Sequence, residues 1–217
     1  MVSAVAGRRR GERVTDKIRV GIDLDGVIYD FGEAFGSFLQ AEYNWPGAMC
    51  APPQRWTFYE DWGLTTAGFK MVCNEAADAG RLWNVYGCTN YAVVDAFKEL
   101  ANCPAVSVHI ITDRHFGTHP AVSHEATARW LRDIGLRYDT LTFSPDKTIV
   151  ATDFMIDDKR ENYTELRSAG TEAYLLDKPW NQDSVLPGTP ASHRIRSVVE
   201  FVEIVLDAAV EKERVTP

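Results

Sequence analysis

Ile18-Arg19-Val20-Gly21-Ile22-Asp23-Leu24-Asp25-Gly26 is the stretch on which the fold turns. Ile18, Val20, Ile22 and Leu24 alternate with other residues, the signature of a β-strand with a buried face. Asp25-Gly26 then reads as a turn. A short apolar strand that stops on two carboxylates carries polar chemistry at the edge of a hydrophobic core. Further along, Val106–Ile111, Thr140–Phe143, Phe154–Ile156 and Ala173–Leu176 have the same short, apolar character. Helical stretches lie between them: Ser123–Ile134 closed by Gly135, and Arg160–Ser168 closed near Gly170. Alternating strands and helices predict an α/β fold, a Rossmann-like parallel sheet with helices on both faces.

The segment after the first strand breaks this rhythm. Helices are expected over Phe31–Tyr43, over about Thr66–Ala79 with Thr65 as N-cap, and from near Asn90 with Val93, Phe97 and Leu100 inward. Asn44–Thr57 reads as a loop. The expected organisation is a disordered tail over residues 1–16, a core of residues 17–32 and 91–217, and a small helical cap over residues 33–90 inserted after the first strand. The final helix, Ser197–Val210, carries Val198, Phe201, Val202, Val205 and Ala209 on one stripe and acidic residues opposite, which suits docking on a sheet better than lying on a membrane.

Composition narrows the function. The 217 residues are 45% hydrophobic and 25% charged, ordinary for a globular chain. Lys and Arg number 23 against 31 Asp and Glu, a net charge of −8, so the chain is a poor default binder of nucleic acid. No apolar run is long enough to span a bilayer. The four cysteines, Cys50, Cys73, Cys88 and Cys103, form no C-x-x-C pair and read as reduced packing groups of a cytoplasmic protein.

Ligands of such sheets bind where the carboxyl ends of the strands meet. Those ends carry Asp23 and Asp25, then Thr112 and Asp113, then Asp157 and Asp158, with Lys147 on a turn before the last pair. Carboxylates brought together repel one another unless a cation intervenes, and all-oxygen ligands favour Mg²⁺ over zinc. Thr112 and Lys147 add a hydrogen-bond donor and a positive charge, suited to a transferring phosphoryl group. Asp23 and Asp25, two apart, can divide the roles of nucleophile and proton carrier.

Ile22-Asp23-Leu24-Asp25-Gly26-Val27, Ile110-Ile111-Thr112-Asp113, Asp146-Lys147-Thr148 and Met155-Ile156-Asp157-Asp158 resemble the four motifs of haloacid-dehalogenase-type phosphatases. Within that superfamily, Asp23–Phe31, Val106–Thr112, Asp146–Val150 and Phe154–Lys159 are most similar to the 5′(3′)-deoxyribonucleotidases, 5′-nucleotidases of the cytosolic type C. The likeness runs from about Ile18 to Leu176. It implies that Asp23 attacks phosphorus to form an aspartyl-phosphate, and that Asp25 protonates the leaving nucleoside and then activates water. It further implies that Asp23, the backbone carbonyl of Asp25, and Asp158 bind Mg²⁺, with Asp157 acting through water or as an orienter. Thr112 and Lys147 would hold the phosphoryl oxygens. Asp113 and Arg114 stand where the family often has a small residue and proline. They are candidate substrate contacts, and for Arg114 a surface salt bridge is the competing reading.

The cap is rich in aromatic residues, most of which a small helical unit needs for its own core. Phe31, which matches a base-lining aromatic of the family, and Trp56, in the cap segment supplying a second ring, are the two expected to face a base. His115 and His119 lack a third metal ligand and read as loop histidines. Asn162-Tyr163-Thr164 matches a glycosylation sequon but falls in an expected helix of a cytoplasmic chain and is discounted. The expected activity is Mg²⁺-dependent hydrolysis of nucleoside, chiefly deoxynucleoside, monophosphates. The alternative is a polynucleotide 3′-phosphatase acting on nucleic-acid ends, and a binding protein without chemistry is the third reading. The expected partner is a small-molecule nucleotide, with neither membrane nor nucleic acid; a homodimer is compatible with the reading.

Overall fold

The computed structural model describes residues 17–182 and 193–215; the expected tail over residues 1–16 lies outside them. Six strands, β1 Ile18–Ile22, β2 Val106–Thr112, β3 Thr140–Phe143, β4 Phe154–Asp157, β5 Glu172–Leu176 and β6 Arg194–Ile195, form one sheet in the order β3-β2-β1-β4-β5-β6. Every neighbouring pair is parallel. This is the expected α/β sheet with one strand more, since two-residue β6 is too short to show any alternation. β1 ends at Ile22 rather than running on to Leu24, and Asp23 continues only by donating its N–H to the Ile156 carbonyl at 3.2 Å.

The chain leaves β1 toward β2 and β3 on one side and later returns to build β4, β5 and β6 on the other. The order therefore reverses between β1 and β4, and a crevice opens beyond their carboxyl ends. Helices α4 Tyr91–Asn102, α5 Pro120–Asp133, α6 Arg160–Ser168 and α7 Val198–Val215 accompany the sheet. In α4 the inward residues are Val94, Phe97 and Leu100; Val93 is only half-buried, one position off the expected stripe. The α7 stripe of Val198, Phe201, Val202, Val205 and Ala209 is buried as expected, on a helix that runs on to Val215. Helix α5 starts three residues before the expected Ser123. Pro120 occupies its first turn, and the His119 ring accepts from the Ala121 N–H at 3.1 Å.

Between β1 and α4 lie α1 Phe31–Tyr43, the short α2 Phe58–Asp61 and α3 Thr66–Asp78. Asp30 caps α1 through the Glu33 N–H at 2.9 Å, and Thr65 caps α3 through the Gly68 N–H at 3.1 Å. Phe35, Phe38, Leu39, Phe58, Trp62, Val72, Cys73, Leu82 and Trp83 bury one another in a hydrophobic cluster separate from that of the sheet. The segment thus has a core of its own. It is pinned to the sheet end by Tyr29, whose hydroxyl donates to the Leu82 carbonyl at 2.6 Å and accepts from the Val85 N–H at 3.2 Å.

Candidate active site

A cavity of about 400 Å³ lies over the reversal point of the sheet. Its floor carries Asp23, Asp25, Lys147 and Asp158, and its upper wall carries Phe31, Phe58, Tyr59, Phe69, Trp83 and Phe116. Asp23, just past β1, is buried. Its Oδ1 accepts from Lys147 Nζ at 2.7 Å, and the same ammonium donates to the Ile111 carbonyl at 2.8 Å. A helical turn over Lys147–Ile149, capped by Asp146 through the Thr148 N–H at 2.8 Å, aims this lysine inward. Burial works to lower the Lys147 pKa, but Asp23, Asp157 and Asp25 together carry it above the ordinary value, so the lysine stays charged.

Asp157 closes β4, and each of its oxygens is held: the Lys159 N–H donates to Oδ1 at 2.8 Å and the Asn162 amide to Oδ2 at 2.9 Å. Asn162, of the discounted sequon, is buried in α6 and spends its amide on this carboxylate. Asp158 accepts at Oδ2 from Trp180 Nε1 at 3.0 Å, and the Asn181 amide holds its carbonyl at 2.8 Å. Sequence reasoning missed this Lys178–Asn181 turn after β5; the only signal for it was the polar strand end that had flagged the other three strands.

Asp23, Asp157 and Asp158 can each offer an oxygen within 4.8 Å of the others, all three buried. Burial and the neighbouring carboxylates push Asp157 up to about 7 and Asp158 well above the usual carboxylate range. Lys147 alone does not balance three buried carboxylates. Hard oxygen donors with surplus negative charge fit a divalent cation. The fit extends to the backbone: at Gly26, with φ +78°, a Cβ would stand 1.9 Å from Asp158 Oδ2, so only glycine lets that carboxylate lie against the turn after β1.

The other expected site residues divide. Thr112 ends β2 fully buried, and its hydroxyl has no partner among the described residues. Phe31 stands at the cavity wall, stacked on Phe35 at 6.0 Å and tilted on Trp83 at 5.5 Å. Trp56 also lines the cavity, is 52% exposed, and has Lys159 Nζ 5.0 Å from its ring centre. Asp113 lines the rim, and its Oδ1 lies 2.9 Å from His115 Nδ1.

The Asp25 carboxylate stands apart from those of Asp23, Asp157 and Asp158, because Arg114 holds it: Nη2 to Oδ1 at 2.7 Å and Nε to Oδ2 at 3.0 Å. The salt bridge expected of Arg114 exists, but in the interior rather than at the surface, and the residue is not part of the cavity lining. It is 0% exposed, lies behind the cavity lining, and its guanidinium sits among the rings of Trp83, Tyr29 and Trp130 at 4.7, 4.9 and 5.0 Å. Burial lifts the Asp25 pKa, and the Arg114 charge works against that lift.

Residues 82–208 match the family described as 5′ nucleotidase, deoxy (pyrimidine), cytosolic type C protein. A relative from Chlorobaculum tepidum, provisionally named a 5′(3′)-deoxyribonucleotidase, is 30% identical over 162 residues, spanning 71% of this chain and 76% of that one. The chain belongs to this 5′-nucleotidase family. It is a phosphoric monoester hydrolase of the 5′-nucleotidase type. Solved structures place the fold of this nucleotidase-family chain among the haloacid-dehalogenase-type hydrolases. A haloacid dehalogenase-like hydrolase from Streptococcus pneumoniae superposes with a TM-score of 0.52 at 15% identity, covering 88% of this chain and 99% of the other. A hydrolase of that superfamily from Geobacter sulfurreducens gives 0.54 at 13%, covering 88% and 97%. No helix among the described residues is long and apolar enough to cross a membrane.

Proposed function

We propose that this nucleotidase-family enzyme hydrolyses nucleoside monophosphates, deoxynucleotides foremost, in a Mg²⁺-dependent reaction through an aspartyl-phosphate at Asp23. One observation carries the reading. Asp23, held at Oδ1 by Lys147, forms the floor of a cavity whose facing wall is aromatic. The floor suits a phosphate ester and the wall suits a base.

Asp23, the backbone carbonyl of Asp25 and Asp158 would hold the Mg²⁺, with Asp157, both of whose oxygens are already engaged, orienting the group from behind. When bound, the ion supplies Lewis-acid polarisation of the phosphoryl oxygens and offsets the charge of the carboxylates. The free oxygen of Asp23 attacks phosphorus while the bond from phosphorus to the nucleoside oxygen breaks. That electron pair stays on the leaving oxygen, which takes a proton from Asp25. Water then attacks the aspartyl-phosphate, Asp25 accepts its proton, and Asp23 leaves as carboxylate with release of inorganic phosphate. Lys147 and the unpartnered Thr112 hydroxyl provide donors for the phosphoryl oxygens. Phe31 and Trp56 face the base, and Asp113 stands at the rim for sugar or base hydroxyl and amino groups. The cytoplasm, where nucleoside monophosphates are at hand, is the proposed site of action.

The test is phosphate release across ribo- and deoxynucleoside 5′- and 3′-monophosphates, with and without Mg²⁺, for wild type and Asp23→Asn. We expect metal-dependent turnover that the substitution abolishes while the circular dichroism spectrum is retained. Unchanged turnover in Asp23→Asn refutes the nucleophile. Faster release from a 3′-phosphorylated oligonucleotide than from any mononucleotide would replace this reading by that of an end-processing phosphatase.

A further inference from the structure

Arg114 is among the largest fully buried side chains of the protein. Burying a guanidinium is costly unless its donors and its faces are both served. Here both are. Nε and Nη2 close a two-pronged fork on the Asp25 carboxylate, Nη1 donates to Thr127 Oγ1 at 3.3 Å, and three aromatic rings cover the faces. The rings come from separate parts of the chain: Tyr29 from the turn after β1, Trp83 from the end of the inserted segment, Trp130 from α5. The plane of the guanidinium is therefore set by the whole surround, and a bidentate pair is coplanar, so the plane of the carboxylate is set with it. The Asp25 side chain nonetheless keeps 26% of its surface, and it lines the cavity. A carboxylate has about four lone-pair directions, and the fork uses two.

We infer that Arg114 is the positioning residue for Asp25: its fork fixes the orientation in which the remaining carboxylate lone pairs face the cavity. The inference rests on the phosphatase reading above, in which Asp25 carries the proton. Arg114 itself touches no substrate. Without the fork, Asp25 keeps its chemistry but loses its aim, and misplacing a reacting group by about 1 Å costs on the order of 100-fold in rate.

Lysine keeps the charge but cannot form the planar fork, so Arg114→Lys separates orientation from charge. Two substrates separate orientation from simple structural damage. A deoxynucleoside monophosphate has an alkoxide leaving group that needs the Asp25 proton, whereas p-nitrophenolate leaves without one. The expected result for Arg114→Lys is a fall in kcat of about 100-fold on the nucleotide with KM within about threefold, and a pre-steady-state burst of p-nitrophenolate slowed by less than about threefold. Should the lysine side chain disturb folding, Arg114→Ala provides the second arm: nucleotide turnover restored by added ethylguanidinium and not by ethylammonium supports the fork. Equal loss on both substrates, or full nucleotide activity in Arg114→Lys beside an inactive Asp25→Asn, overturns the inference alone. A wild-type protein that releases no phosphate from any nucleotide overturns the phosphatase reading and the inference with it.

Discussion

Replacing Gly26 by alanine tests the tightest contact in the acidic group. At φ +78° an L-residue is strained by roughly 1–2 kcal/mol. The added Cβ would stand 1.9 Å from Asp158 Oδ2 and 2.5 Å from its Cγ. Side-chain atoms do not approach so closely, and the carboxylate must retreat by about 1 Å, giving up the Trp180 indole N–H now at 3.0 Å. A hydrogen bond to a buried carboxylate lost in this way costs about 1–3 kcal/mol. The total is about 3 kcal/mol, a fall in Tm of about 6–12 °C for a chain of this size. Gly80→Ala is the control: its φ is +68° and nothing stands within 4 Å of the new Cβ, so strain acts alone. The assay is thermal unfolding of both variants and wild type with and without Mg²⁺. A bound ion at 100 times its Kd stabilises by about 2.7 kcal/mol. Wild type and Gly80→Ala are expected to show that gain, and Gly26→Ala to lose most of it. A Gly26→Ala protein as stable as Gly80→Ala, with an undiminished response to Mg²⁺, refutes both the contact and the assignment of Asp158.

Two further outcomes follow from other parts of the molecule. Trp56 is half exposed at the cavity, so Trp56→Ala should leave Tm within about 2 °C of wild type. Loss of one base-stacking ring, worth about 1–3 kcal/mol, should raise KM for deoxynucleotides about tenfold; an unchanged KM removes Trp56 from the base site. Asp177 joins β5 to β6 by accepting from Gln182 and Arg194, each at 2.7 Å. Burial works to raise its pKa, but these hydrogen bonds and the Arg194 charge carry it below the ordinary value. Its stabilisation is thus complete above about pH 5 and fades as pH falls through its depressed folded-state value, below the ordinary 3.9 or so. Asp177→Asn should be less stable than wild type at neutral pH, with the gap closing on acidification in urea-melt midpoints measured from pH 7 to pH 2. A gap that is constant with pH refutes the assignment.

What the sequence could show was local. Phe31–Tyr43 was readable from its apolar periodicity, and the start of α3 from the Thr65 cap beside its own apolar stripe, both signals local to one helix. The acidic strand ends were readable because parallel strands bring their carboxyl ends to one edge whatever the connections between them. Arg114 was not readable: its partner Asp25 stands 89 positions away, and an exposed and a buried arginine look alike in sequence. The early start of α5 was hidden because histidine is a weak sequence signal for a cap. The slip from Val94 to Val93 in α4 arose where two adjacent valines both fit the apolar stripe. The Trp180 and Asn181 contacts to Asp158 depend on how the turn after β5 folds back, which no period encodes.

The inserted helices and the sheet keep separate hydrophobic interiors, and among the described residues one side chain, Phe31, packs against both. Most substitutions among the inserted rings can therefore be absorbed without repacking the strands; Trp83, which packs on the Arg114 guanidinium, is the exception. Phe31 is the position at which a change of side chain would be felt in both interiors at once.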